Sequence, residues 1–484
     1  MTTQDSLQKE IAKLRLRAAG LELSGEEFRR QIQAALGPLS LVVDRAADSP
    51  GYATKAANPL SKQISGAVNP QDPIQKMVAD QLRGGMEHAS GGFMGYIPCG
   101  GLPSAAVADL ITSITNKYSA FNFSAPGAAA AENEVIDWMC QLFALGSDAW
   151  GCLTSGGTMA MLTCLLAARE SVANVPAERL AIYLTDQTHH SAHRSLKAMG
   201  LLSAKIRLVA TDELLRMDAA ELSRAVQEDK RGELLPFLVI ASAGTTNTGA
   251  IDPLEDIAKV SRGQQLWMHV DAAYGGFFIL CEQAKGLFRG IEHADSIAVD
   301  QHKGMFLPQG TGASLVRNGE QLKAALHEDA DYLPEQGATP PKLERSPGDY
   351  SFELTRHNRA PRIKLSLDLY GEEIFAAALS EKLLLARWLF AELSQIRGVL
   401  VFCEPQLTVL AFRVSSDAET KRLLGAILQD GKVFVSPTQL RGEFWIRACV
   451  LNFRTHIEHV EALLERVKAF QEERARESKA VVQR

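Results

Sequence analysis

The sequence predicts an α/β fold built on a mostly parallel central sheet. Three observations predict it. Short apolar runs recur at 150–154, 180–184, 206–210, 237–241, 266–270, 296–299 and 313–316. They are too short for independent helices and alternate with helical or turn segments, which suits buried parallel strands. The first run leads into Ser155-Gly156-Gly157-Thr158 and a helical pattern through Ala168, a strand–turn–helix unit. The composition, 46% hydrophobic and 22% charged over 484 residues, is that of an ordinary globular protein with ample length for a large core.

Taken in order, residues 1 to about 35 read as helix. Leu7, Ile11, Leu14 and Ala18 recur at helical spacing, and Ser24 is placed to cap a second helix. Residues 36–75 carry Pro38, Pro50, Pro59, Pro70 and Pro73 without strong periodicity, and read as an arm. Residues 133–145 form an amphipathic helix with Ile136, Met139, Leu142 and Phe143 on one side. The strand–helix alternation then runs to about 360. Beyond it come a long helix at 372–394, strands at 399–403, 409–414 and 444–450, a helix near 418–429, and a last helix carrying Val460, Leu463, Leu464 and Val467. The expected division is an N-terminal arm (1–90), a large α/β domain (91–360) and a small C-terminal α+β domain (361–484).

Charge and cysteine content exclude several classes. The 51 basic and 57 acidic residues leave a net charge of −6, a poor match to nucleic acid. Seven dispersed cysteines with no CxxC pair read as free thiols in a reducing compartment. The N-terminus is polar and lacks a signal-peptide core, and no run of about 18 apolar residues marks a membrane span. A cytoplasmic protein without a membrane, nucleic-acid or metal partner is expected.

The chemistry gathers at strand ends. Val299-Asp300-Gln301-His302-Lys303-Gly304 brings a lysine to the end of an apolar strand. A lysine in a partly desolvated site has a lowered pKa and can form a Schiff base, although a lone strand-end lysine is more often structural. His269-Val270-Asp271-Ala272-Ala273 closes another strand with an acid and two small residues, where Asp271 alone would read equally as a helix cap. Ligands of α/β sheets bind at the carboxyl ends of strands. Pyridoxal phosphate needs this pair: a lysine for its aldehyde and an acid for its pyridine nitrogen. The turn at Ser155–Thr158 presents backbone N–H groups to an anion. His189, just past a strand end, could stack on an aromatic cofactor, though any one of His189, His190 and His193 alone reads as an ordinary histidine.

In combination, TSGGT, TDQTHHSAHRS, GTTNTGAIDP, HVDAAYGG and DQHKG resemble the group II pyridoxal-phosphate-dependent amino acid decarboxylases, from about residue 92 to the C-terminus. The resemblance implies fold type I of the pyridoxal-phosphate enzymes, with pyridoxal 5'-phosphate as cofactor. By position it makes Lys303 the Schiff-base lysine, Asp271 the acid at the pyridine nitrogen and Ala273 the small residue beneath the ring. It places His189 on the opposite ring face and Gly157 and Thr158 in the phosphate cup, with Asp300 and His302 beside it and Thr246 near the cofactor. Arg356 falls near the substrate carboxylate, and Tyr96, Ile97, Pro98 and Cys99 fall in the substrate-pocket segment. The tyrosine that protonates the substrate carbon is Tyr350 or, alternatively, Tyr332, around a Pro- and Gly-rich stretch (334–347) suited to a mobile lid. The resemblance also implies a homodimer with the active site at the interface and the arm wrapped on the partner.

Two positions depart from that pattern: Gln301 replaces the usual proline and Gly304 the tryptophan common in aromatic-specific members. The expected reaction is decarboxylation of an L-amino acid, aromatic in preference to acidic or small, giving the amine and carbon dioxide. The rivals are a decarboxylation-dependent aldehyde synthase and a non-enzymatic cofactor-binding protein. A nicotinamide dehydrogenase is disfavoured, since no GxGxxG follows the first strand.

Overall fold

The structure, a computed structural model, describes residues 3–22, 24–27, 29, 88, 90–98, 100–328 and 342–482. Most of the expected arm, the lid residues 334–341, Cys99 and Tyr332 lie outside the described residues. Helix α1 (Thr3–Ala18) buries Ile11, Leu14 and Ala18, the spacing read from the sequence. After it, Ser24 Oγ accepts the Glu27 amide at 3.2 Å and a Glu27 carboxylate oxygen accepts the Ser24 amide at 2.8 Å, a reciprocal cap.

Seven strands form the central sheet: β1 (Trp150–Thr154), β2 (Leu180–Leu184), β3 (Lys205–Leu208), β4 (Leu235–Ser242), β5 (Trp267–Asp271), β6 (Ser296–Val299) and β7 (Gly312–Val316). Their order is β1-β7-β6-β5-β4-β2-β3. β2 through β6 pair in parallel, while β7 lies antiparallel between β1 and β6. The predicted α/β class with a mostly parallel sheet is therefore what forms. The central strands are buried on both faces, which explains their near-continuous apolar runs; each fully buried Leu, Ile or Val side chain contributes roughly 1.5–3 kcal/mol. Helix α2 (Pro126–Leu142) buries Ile136 and Met139 against this core, and α3 (Gly157–Glu170) buries Met161, Cys164 and Leu165.

A second core surrounds a smaller antiparallel sheet of β8 (Leu400–Val401), β9 (Val409–Arg413), β10 (Ser436–Leu440) and β11 (Glu443–Cys449), ordered β10-β11-β9-β8. The sequence did not predict β10. Its Ser-Pro-Thr-Gln-Leu has no apolar run, and it forms by pairing with β11 across a turn in which Arg441 (φ 52°) and Gly442 (φ 81°) are both left-handed. The expected helix at 372–394 is the second arm of a longer one, α4 (Ala360–Gln395). It kinks at Gly371 (φ 69°, ψ 169°), and its first arm carries Pro361 in the first helical turn, which accommodates it. Helices α5 (Asp417–Asp430) and α6 (Ile457–Val482) complete this region.

One further segment matters for the site. Residues 92–94 are stitched onto the small sheet: the Met94 amide donates to Phe434 O, the Phe434 amide to Gly92 O and the Cys449 amide to Met94 O, each at 2.8 Å.

Candidate active site

Because β7 is the antiparallel member, the carboxyl ends of β1, β2, β4, β5 and β6 share one edge of the sheet. The turns beyond those ends line a cavity of about 620 Å³, the location expected for a ligand of an α/β sheet. β1 delivers Gly156, Gly157 and Thr158; β2 delivers His189; the turn after β4 delivers Thr246. β5 delivers Asp271 and Ala273, and β6 delivers Asp300, His302 and Lys303. Tyr96, Ile97 and Pro98 close another side. Thirteen of the residues singled out in the sequence thus meet at one place, drawn from segments as far apart as residues 96 and 303.

Asp300 organises the floor. Its Oδ2 lies 2.8 Å from Lys303 Nζ and 3.7 Å from His302 Nε2. His302 Nδ1 donates to Thr311 O at 2.7 Å, which directs Nε2 to the carboxylate. Asp300 Oδ1 is buried and has no hydrogen-bond partner among the described residues. The glycine turn has its physical reason here. A Cβ on Gly157 would stand 2.8 Å from Asp300 Oδ2 and 3.2 Å from Ala273 Cβ, and Gly156 has φ +140°. Only glycines allow this close approach.

The turn also opens α3 without a side-chain cap, so the first amides of that helix are free for an anion. Asp271 Oδ1 accepts the Ala273 amide at 3.1 Å. Burial pushes the Asp271 carboxyl above the usual range, against the opposing pull of Lys303 and that amide. An adjacent cationic ring nitrogen would reverse this. Burial, reinforced by the charges of His190 and Lys303, pushes His189 down to about 4, so at neutral pH it presents an uncharged ring. Its Nδ1 is 2.8 Å from Ser191 Oγ. An uncapped helix start, a flat neutral ring, a small-residue bed, a buried acid and a lysine fit pyridoxal phosphate as a set.

Two expected residues do not reach the cavity. Arg356 is fully buried: Nη1 is 2.7 Å from Glu132 Oε1 and Nη2 donates to Leu153 O, while Glu132 Oε1 also accepts the Leu153 amide at 3.0 Å. It clamps the end of β1 just before the glycine turn, and its charge is already neutralised. Tyr350 is buried against Trp150, ring centroids 6.4 Å apart, with the Arg345 guanidinium over its ring, and burial pushes its phenol up to about 12. Apolar packing against the core holds it away. Gln301 is also buried, its Nε2 donating to Met139 Sδ at 2.9 Å.

The sequence reading missed Arg447. It lies mid-strand in β11, buried, and lines the cavity. Nη1 donates to Ser436 Oγ at 3.2 Å, while Nε and Nη2 have no hydrogen-bond partner among the described residues. A guanidinium that lines a cavity while two of its buried nitrogens lack a partner is suited to an anion. The available signal was a cation inside the apolar run Phe444–Val450. Tyr274 was also missed. It lines the cavity, and its hydroxyl is 2.7 Å from Thr408 Oγ1 and accepts the Thr408 amide at 3.0 Å, pinning the two sheets together.

Comparison with known proteins agrees with this geometry. Residues 50–415 match the pyridoxal-dependent decarboxylase conserved domain. An aromatic-L-amino-acid decarboxylase from Bacillus atrophaeus is 30% identical over 473 residues, covering 94% of this chain and 97% of the relative. An L-2,4-diaminobutyrate decarboxylase from Rhizobium meliloti is 30% identical over 471 residues, covering 91% and 92%. The crystal structure of Oryza sativa TDC with PLP and tryptamine superposes with a TM-score of 0.79 at 23% identity, covering 93% and 99%, and shares the fold. The chain belongs to the pyridoxal-dependent decarboxylase family.

Proposed function

We propose that this enzyme, a pyridoxal-phosphate-dependent amino acid decarboxylase, acts on an aromatic L-amino acid and releases the amine. When bound, pyridoxal phosphate supplies an electron sink for the carbon–carbon bond that breaks. The protein's share is placement. The amides of Gly157 and Thr158 would hold the phosphate, Asp271 would hold a proton at the pyridine nitrogen, and Ala273 and neutral His189 would flank the ring. Asp300 receives or returns a proton at Lys303 Nζ. Arg447 fixes the substrate carboxylate in one orientation, a role that falls to it because Arg356 is engaged with Glu132.

The observation that carries the carboxylate reading is that Arg447 lines the cavity while its Nε and Nη2 are without a partner among the described residues. The aromatic preference rests on its wall. Tyr96 lines the cavity 6.0 Å from Phe434, which stacks on Phe93 at 5.5 Å. The acids that line it, Asp271 and Asp300, are both engaged in the cofactor bed, so among the described lining residues none is left for a basic side chain.

An absorbance titration tests this. A band near ~420 nm, trapped by borohydride, reports the lysine-bound cofactor. Aromatic L-amino acids should perturb it and release carbon dioxide and the amine. Turnover of acidic or diamino substrates alone would overturn the substrate assignment, and an aldehyde with peroxide would overturn the product.

We also read the chain as a cytoplasmic homodimer divided at about residues 90 and 360. The six cysteines among the described residues are free, and no helix among those residues is long and apolar enough to cross a membrane. Tyr118, Leu343, Phe352 and Leu354 are exposed near the contact where the Gly348 amide donates to Ala120 O at 2.7 Å, an apolar surface suited to a second copy.

A further inference from the structure

Ser436 is the first residue of β10 and is 1% exposed. Its hydroxyl makes two directed bonds. It accepts from Arg447 Nη1 at 3.2 Å and donates to Gly95 O at 2.7 Å. Gly95 immediately precedes Tyr96, Ile97 and Pro98, the wall of the cavity. The rest of that wall's backbone is tied to the same sheet through Gly92, Met94, Phe434 and Cys449. A single buried hydroxyl therefore joins the arginine to the wall segment.

We propose that Ser436 is a positioning residue that holds the Arg447 guanidinium and the Tyr96–Pro98 wall in one register, so that a substrate's carboxylate and its side chain are read from a single rigid frame. The proposal rests on the reading of Arg447 as the carboxylate anchor. The chemistry leaves little choice of hinge. Ser436 Oγ is the oxygen that takes the directed hydrogen bond of Arg447 Nη1. Without the hydroxyl, Nη1 and Gly95 O would both stand unpaired in a buried site, and the guanidinium would be free to turn.

The test uses the cofactor-loaded enzyme and two probes without an amino group that share a phenyl ring: 3-phenylpropanoate, which has a carboxylate, and 3-phenyl-1-propanol, which has none. In Ser436→Ala, the dissociation constant of 3-phenylpropanoate should rise about tenfold while that of 3-phenyl-1-propanol holds within about twofold. For the amino acid substrate, KM should rise more than kcat falls. Ser436→Thr, which keeps a hydroxyl, should restore the carboxylate affinity. The ~420 nm band should stay near wild type in both variants, and Ser436→Ala should lower the melting temperature by only a few degrees.

Equal weakening of both probes would mean general loosening and overturn the proposal, as would unchanged affinity for both. Arg447→Lys separates the two readings. If it loses the preference for the carboxylate probe and Ser436→Ala does not, only the positioning role fails. If Arg447→Lys keeps that preference, the anchor reading fails and this one with it.

Discussion

Two lysines sit in buried surroundings in this chain, and they are buried in opposite ways. Lys303 stands at the end of β6 with one carboxylate partner, Asp300, and a side chain 18% exposed to the cavity. Lys382 lies in α4 with a side chain 0% exposed, and its ammonium is surrounded: Glu381 Oε2 at 2.8 Å, Phe453 O at 3.3 Å and Thr455 O at 2.5 Å. Three donors meet three acceptors, so nothing is left to react. His456 completes that cluster, its Nδ1 2.8 Å from Glu381 Oε1 and its Nε2 bonded to Glu22. It ties the residues after α1 to α4 and to the loop before α6. In the cavity, by contrast, Asp300 Oδ1 and the Arg447 Nε and Nη2 are unpartnered. Burial of a charge does not distinguish structure from function here; unmet bonds beside a cavity do, since the clamp of Arg356 and Glu132 also leaves atoms unpartnered but opens on no cavity.

The largest expected effect breaks the comparison on the reactive side. Lys303→Ala should lower turnover by at least ~10³-fold and abolish borohydride-trappable cofactor, with a melting temperature close to that of the cofactor-free wild type. A variant retaining near-full activity would refute the assignment. Lys382→Met should do the reverse. It leaves Glu381 and two carbonyls buried without their cation and should destabilise the fold by about 3–5 kcal/mol in denaturant melts, while kcat of the remaining folded enzyme stays within a few-fold.

A smaller effect is expected at the glycine turn. In Gly157→Ala the new methyl meets Asp300 and Ala273, so cofactor affinity, measured by equilibrium dialysis, should fall by roughly 10–100-fold with little change in unfolding of the cofactor-free protein. Equal affinity would show that the floor can yield.

The smallest effect is pH-dependent and sharpens the closed cluster. Burial alone would lower His456, but Glu22 and Glu381 outweigh it and raise its pKa above 6.5, against Lys382 and with His459 nearby. Burial likewise opposes the ionisation of Glu22, yet His456 holds it below 4.5. The His456 contribution is therefore complete below the ordinary histidine range and disappears as pH rises through its raised value. The Glu22 contribution is present above the ordinary carboxylate range and disappears as pH falls through its lowered value. The stability gap between wild type and His456→Gln, about 1–2 kcal/mol near pH 6, should narrow on going to alkaline pH. A gap independent of pH would show that the imidazole acts by hydrogen bonding alone.

The sequence by itself determined the fold class and pointed to most of the residues that line the cavity. Apolar strand runs are local signals, and Gly157, Asp271 and Lys303 announce themselves by standing at the ends of such runs, where the chain must leave the sheet. Their convergence follows from a parallel sheet, which brings carboxyl ends to one edge. The tertiary structure alone decided what each arginine does. Arg356 and Arg447 both stand in ordinary-looking contexts, yet one is neutralised by Glu132, 224 residues away, and the other reaches the cavity because β11 pairs with β9 and β10. The same holds for Lys382, which reads as a solvated helix lysine until the carbonyls of Phe453 and Thr455 fold over it. Local pattern governs which residues leave a strand or line a helix face. Which charge meets which partner depends on contacts hundreds of residues apart, and these exist only once the chain has packed.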